Sequence, residues 1–405
     1  NDKGEGQLNA KLGLTDAKLA LAKFGWTKEA GTDASAELAA VFTKHRFHKI
    51  SEFRVAGGGL DVLGSAKFKA SGEASEIRIE QFQLADTDVA AVAIPVKDRW
   101  EIDVRGRSLD LRGFLADDEA AAEAEPERGP SLSISISLGK ALLDGGQSLA
   151  NVTGAGLFDG LVWQKAQFSG AMDTARKIHI QITPNGDKRH FVLTSKDAGA
   201  ALKVLDFNDN VAGGTLRIDA NYLGMMPASP LEGVLIIDKF RILNAPVFVQ
   251  LLSIASLTGI LEALGGNGLQ FNQLVVPFVS GPDQVRVKDA RATGITLGIT
   301  ASGSVDTKNE TIDLKGTLIP AYLINSALGR LPIVGPIFSG GQKGGGVFAA
   351  EFRVKGNVDK PEVSTNPLTA LAPGFLRNFF KVFERKDEAK GADKNTGSKN
   401  GKDRP

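Results

Sequence analysis

Residues 131–138 read Ser-Leu-Ser-Ile-Ser-Ile-Ser-Leu, a strict period of two. In an extended chain that order puts Leu132, Ile134, Ile136 and Leu138 on one face and four serines on the other. The same alternation sets Ile178, Ile180 and Ile182 against Lys177, His179 and Gln181, and shorter versions recur at 215–219, 285–288, 295–301 and 311–314. Between residues 76 and 84 the parity slips from Ile77 and Ile79 to Phe82 and Leu84, which predicts a bulge near Glu80 and Gln81. Strands that are dry on one face and wet on the other are antiparallel in character. The 47 glycines fall mostly between apolar runs, where turns and bulges need them.

Helical signals are few. Asp197 or Ser195 is placed to cap a short helix over 198–205. The window 242–261 carries no formal charge and reads as a helix over 246–264, started by Pro246 and stopped by Gly265 and Gly266. Phe248, Leu252, Ile254, Leu257, Ile260 and Leu264 leave it no coherent polar face, so it must lie under protein, lipid or both. Gln250, Ser253, Ser256 and Thr258 dilute it for a bilayer span, which favours a helix packed into the mouth of the sheet. A third helix is expected over 374–385. There Phe375, Leu376, Phe379, Phe380 and Phe383 share an arc opposite Arg377, Lys381 and Arg385, the pattern of an interfacial helix or of one docked across the sheet's end. Residues 318–339 read as a short amphipathic helix and an apolar loop, 117–128 as a mobile acidic loop, and 386–405 as a disordered polar tail.

Composition removes several function classes. With 48 basic against 47 acidic residues there is no basic excess for nucleic acid. The absence of cysteine excludes disulfides, thiol catalysis and cysteine-ligated zinc. His45 and His48 would face opposite sides of a strand, which is wrong for a shared metal. His179 and His190 are candidate cross-strand neighbours, but carboxylates are expected only in turns, as for Asp86, Asp88, Asp206 and Asp209. The glycine-rich stretch 340–346 holds Lys343 but lacks the order that seats a nucleotide phosphate. No catalytic residue, metal site or cofactor is expected.

From Leu231 onward the chain resembles the C-terminal region of the AsmA-like family of Gram-negative envelope proteins. The likeness is carried by Leu231-Glu232-Gly233, Leu243-Asn244-Ala245-Pro246, Gly268-Leu269-Gln270-Phe271 and the run Gly316-Thr317-Leu318-Ile319-Pro320-Ala321-Tyr322. It continues through Leu331-Pro332-Ile333-Val334-Gly335, Gly346-Val347-Phe348, Asn366-Pro367-Leu368 and Ala372-Pro373-Gly374-Phe375-Leu376-Arg377. Earlier residues resemble the family more loosely, through Gly58-Gly59 and Ser108-Leu109-Asp110-Leu111-Arg112. The resemblance implies a periplasmic protein anchored in the inner membrane by a segment upstream of Asn1. It also implies a bridge-like role, moving phospholipid between inner and outer membranes, with no catalytic residues to carry over. Pattern alone favours an ordinary β-sandwich, whose inner faces look the same in sequence; the resemblance decides for a groove.

The expected fold is mainly β: an elongated, twisted antiparallel sheet curled into an open apolar groove, with a few short helices near the C-terminal end. Residues 1–230 form the loosely family-like groove segment, 231–385 the family-like region with capping helices, and 386–405 the tail. The expected groove lining is Ile134, Ile136, Leu138, Ile178, Ile180, Ile182, Leu216, Ile218, Val285, Val287, Ile295, Leu297 and Ile299. Phe248, Leu252, Leu257, Phe375, Leu376, Phe379, Phe380 and Phe383 are expected to cap the end or meet a membrane. The expected partners are phospholipids or other acyl lipids, a membrane surface and an envelope protein. The alternative is a non-conducting scaffold for outer-membrane biogenesis that works through its C-terminal helices.

Overall fold

The computed structural model describes residues 5–43, 46–115, 128–243, 246–254, 268–320 and 350–366. The expected residues Leu257, Phe375, Leu376, Phe379, Phe380 and Phe383, the acidic loop apart from Arg128, and the tail lie outside them.

Twenty strands form one sheet. The first part is a meander of β1 (Glu5–Gly13), β4 (Ala34–Thr43), β5 (Arg46–Gly57), β6 (Leu60–Phe68), β7 (Ala74–Leu84), β8 (Thr87–Val96) and β9 (Arg99–Asp110). The second begins with β10 (Ser131–Leu142), β11 (Ser148–Phe158), β12 (Trp163–Ala171), β13 (Lys177–Asn185), β14 (Lys188–Ser195), β15 (Val211–Tyr222) and β16 (Leu231–Ile242). It ends with β17 (Leu269–Ser280), β18 (Gln284–Gly294), β19 (Leu297–Asp306), β20 (Thr311–Pro320), β21 (Ala350–Asn357) and β22 (Glu362–Asn366). Every neighbouring pair is antiparallel except β9 and β10, which run parallel and join the two meanders. Each strand has two edges, and these pairings use both edges of β4 to β21. The sheet therefore ends at β1 and β22 and is not closed. The pairing of β15 with β16 is unbroken, so one sheet crosses the 230/231 boundary.

A small hairpin of β2 (Leu19–Leu21) and β3 (Trp26–Lys28) stands apart, between β1 and β4. The helices are α1 (Arg112–Leu115), α2 (Ala198–Val204) and α3 (Pro246–Ile254). The helices are few, as expected, but α1 and α2 are far from the C-terminal end. What unites them is the rim they rise from. β9, β14 and β16 end on one rim of the sheet, as does β1 before the small hairpin, and the opposite rim carries most of the short turns.

The parity slip in β7 is a bulge. Leu63 pairs with Gln81 while Gly64 pairs with Ile79, leaving Glu80 as the extra residue. Similar shifts interrupt β4/β5, β8/β9, β11/β12 and β18/β19. At two later irregularities Asn151 and Asp289 take left-handed conformations (φ 48 and 53). Bulges bend a strand and raise its twist, so their recurrence across the sheet curves it.

Asp197 caps α2 as expected, its Oδ1 accepting from the Ala200 amide at 2.9 Å. Ser195 supports the cap, accepting from the Asp197 amide at 3.1 Å and donating to the Lys177 carbonyl at 3.0 Å. Gly199 lets the helix meet β15 closely: a Cβ there would lie 2.3 Å from the Val211 carbonyl oxygen. Asp197→Ala should cost about 1 kcal/mol, read as a lower midpoint in urea with an unchanged slope.

Helix α3 is described over Pro246–Ile254, the remainder of the expected helix lying outside the described residues, and over that span it does have a wet side. Leu251 and Leu252 are buried, whereas Val249, Gln250 and Ser253 are exposed. Phe248 falls within α3. Leu318, Ile319 and Pro320 complete β20 instead of starting a helix, because Thr317–Pro320 continues the ladder with β19.

Candidate functional site: the apolar face of the sheet

The strand registers line up one set of side chains from edge to edge. Across the first meander Leu8 pairs with Ala40, Leu38 with Phe53, Val62 with Phe82, Ile79 with Ala91, and Ala93 with Ile102. The parallel joint preserves the pattern, setting Ile102 beside Ile134 and Val104 beside Ile136. In the second meander Phe168 pairs with Ile180, Ile180 with Leu193, Leu193 with Ile218, and Ile218 with Leu235. Further on, Ile299 pairs with Leu318 and Leu314 with Val354. One face of all twenty strands is thus apolar.

Aromatic rings and glycines interlock on this face. A Cβ on Gly154 would lie 2.1 Å from the Phe168 ring, and on Gly156 2.6 Å from the Trp163 ring. Gly6 with Phe42, Gly64 with Phe53, and Gly316 with Phe352 repeat the arrangement. The missing side chain on one strand lets a neighbouring ring lie across it, which fills the gap and keeps the surface low.

Cover differs along the sheet. In the second meander α2 and α3 contribute Leu202, Leu251 and Leu252 to a cluster with Ile178, Leu216, Ile237, Phe240, Leu297 and Leu318. In the first meander the rows are mostly left half-buried: Leu38, Phe53, Val62, Ile77, Ile79, Phe82, Val89 and Ile102 all retain solvent contact. Phe24, between β2 and β3, packs against Phe82 with the rings tilted and their centres 5.0 Å apart, and meets Phe114 of α1 edge-on at 5.3 Å.

The other face is polar. Arg54 grips Asp61 through two bonds of 3.1 and 2.8 Å, and Arg353 grips Asp313 at 2.9 and 2.7 Å. Asp103 accepts from Arg105 at 2.7 Å and from Ser135 at 2.9 Å, and Arg105 holds its carboxyl below the usual range. Asp173, bonded to Arg176 and to two turn amides, is held at about 2. These exposed pairs contribute little to stability singly; they keep this face polar.

The expected lining residues mostly share the apolar face. Leu138, Ile178, Ile182, Leu216 and Leu297 are buried on it, and Ile134, Ile136, Ile180, Ile218, Val285, Val287 and Ile299 are half-buried. Ile295 is a correction: it lies in the turn between β18 and β19, 60% exposed, because β19 starts at Leu297. Missed by the alternation were Phe168, Phe191, Leu193 and Leu235. His179 and His190 are not neighbours, since His179 pairs with Thr194 and His190 with Thr183. His190 instead meets the strand carboxylate Asp219 at 2.7 Å, so carboxylates are not confined to turns. Asp219, which Arg217 also bonds, is held below its usual range, first by His190.

Among the described residues no group of histidines and carboxylates is arranged to hold a metal ion. None of their helices is long and apolar enough to cross a membrane. The chain matches no family model, no curated protein and no solved structure.

Proposed function

We propose that the apolar face is a lipid-conducting surface: acyl chains lie against it, shielded from water, and move along the sheet without a chemical step. The observation that carries this reading is the unbroken apolar row, which crosses twenty strands yet stays half-exposed over the first meander. A face of that extent left open needs an occupant. Curvature supports a groove. Helix α3, inserted between β16 and β17, lies against β22. On a flat sheet six strand spacings would separate β16 from β22 by about 29 Å. A nine-residue helix is about 14 Å long, so the sheet wraps around it. Each methylene sheltered is worth about 0.8 kcal/mol, and a continuous surface offers that shelter at every step.

This function agrees with the AsmA-like resemblance, and with it we place the protein in the periplasm, handling phospholipid between two membranes. The test is mass spectrometry of co-purifying lipid with photocrosslinking from Ile180 and from His179 on the polar face. Lipid adducts at Ile180 and none at His179 are expected. Protein-only adducts at Ile180, with no bound lipid, would sink the proposal.

A further inference from the structure

Arg189 is 3% exposed and shares its parity on β14 with Phe191 and Leu193, so it lies on the apolar face. Its strand neighbours are Pro184 and Tyr222. Its guanidinium carbon sits 4.1 Å from the centre of the Tyr222 ring. Nη1 donates to the Trp163 carbonyl at 3.3 Å and Nη2 to the Gly224 carbonyl at 3.5 Å, both long for such bonds, and Nε has no partner. Among the described residues no carboxylate forms an ion pair with it. Asp159 is committed elsewhere: it accepts from the Leu161 and Val162 amides and from Gln164, and it pairs with Arg128 at 3.7 Å.

A buried cation left with two long bonds and no anion is unfavourable, and such a group is completed by a negative ligand. Its surroundings suit an amphiphile. The loop between β15 and β16, which includes Gly224, exposes Leu223, Met225 and Met226, adaptable apolar side chains at the rim. The next row inward runs Ala166, Ile182, Phe191, Ala220 and Gly233, two large side chains flanked by small ones.

We propose that Arg189 receives the phosphate of an anionic acyl lipid at this rim, the 223–230 loop releasing its Gly224 carbonyl as the chains settle on the half-buried Ile180 and Phe191. This rests on the lipid-surface reading and adds a head-group site to it. The test uses three probes below their micellar concentrations: decyl phosphate, decyl maltoside and inorganic phosphate. Calorimetry on the wild type should give at least about tenfold tighter binding of decyl phosphate than of decyl maltoside, and weak inorganic phosphate. Arg189→Met, checked for folding by circular dichroism, should abolish that preference while keeping maltoside binding.

Equal affinity for the two decyl probes in the wild type would overturn the head-group site and leave the apolar surface standing. So would a preference that survives in Arg189→Met. Inorganic phosphate binding as tightly as decyl phosphate would mean a free-anion site and also overturn it. No binding of either decyl probe would sink both readings. Should Arg189→Met fail to fold, the wild-type comparison still decides.

Discussion

A protein carrying both Ile79→Asp and Ile134→Asp should fold and lose acyl-lipid binding by more than about a hundredfold. Ile79 on β7 and Ile134 on β10, the first strand of the second meander, interrupt the row at two places where both side chains already touch solvent. Half-exposed sites tolerate a carboxylate, because the new charge keeps part of its hydration. A chain lying across the row loses contact with roughly four or five methylenes at each carboxylate, about 3–4 kcal/mol. Thr153→Asp, exposed on the polar face, is the matched control and should bind as the wild type does. Equal lipid recovery from the double variant and the control, both folded by circular dichroism, would rule out the row as the binding surface.

Lys28→Met should destabilise the protein by about 3 kcal/mol or more, with the damage confined to residues 14–33. Lys28 is 2% exposed, and its ammonium donates to the carbonyls of Thr15, Ala17 and Glu29 at 3.0, 2.8 and 3.1 Å. All three of its protons are used. Methionine keeps the stem's volume but leaves three carbonyls without that donor, each costing on the order of 1 kcal/mol or more. Trp26, whose indole donates to the Gly58 carbonyl at 2.8 Å, ties the same segment to the β5–β6 turn and reports its loss. Hydrogen exchange is the measurement. Fast exchange at 14–33 with the sheet still protected is expected, and wild-type protection there would show that the ammonium is dispensable.

Local features were legible in the sequence. Alternation at 131–138 and 177–183 gives two strands and their faces, the parity slip gives the Glu80 bulge, and Asp197 gives the α2 cap. Each is decided by residues within one turn or strand. The sequence was silent where partners are remote. Arg189 looks like any strand arginine until β12 and the 223–230 loop are brought beside it. Gly154 gives no sign of Phe168 lying across it until β11 and β12 pair. The 246–264 helix was read as apolar on all sides because the pattern weighs residue types, whereas the exposure of Val249 depends on which side β22 occupies. Ile295 continues the alternation in sequence but falls in a turn of two residues, which resets the faces before β19 begins.

The parallel joint between β9 and β10 has a consequence for how the chain comes together. Every antiparallel pair of consecutive strands can form as a hairpin, whereas β9 and β10 run parallel and their connection must cross from one rim to the other. Short-range pairing of that kind is fast, and pairing across a crossover is slow because the loop must close first. The union of the two meanders at Ile102–Ile134 and Val104–Ile136 should therefore form more slowly than the hairpins with short turns.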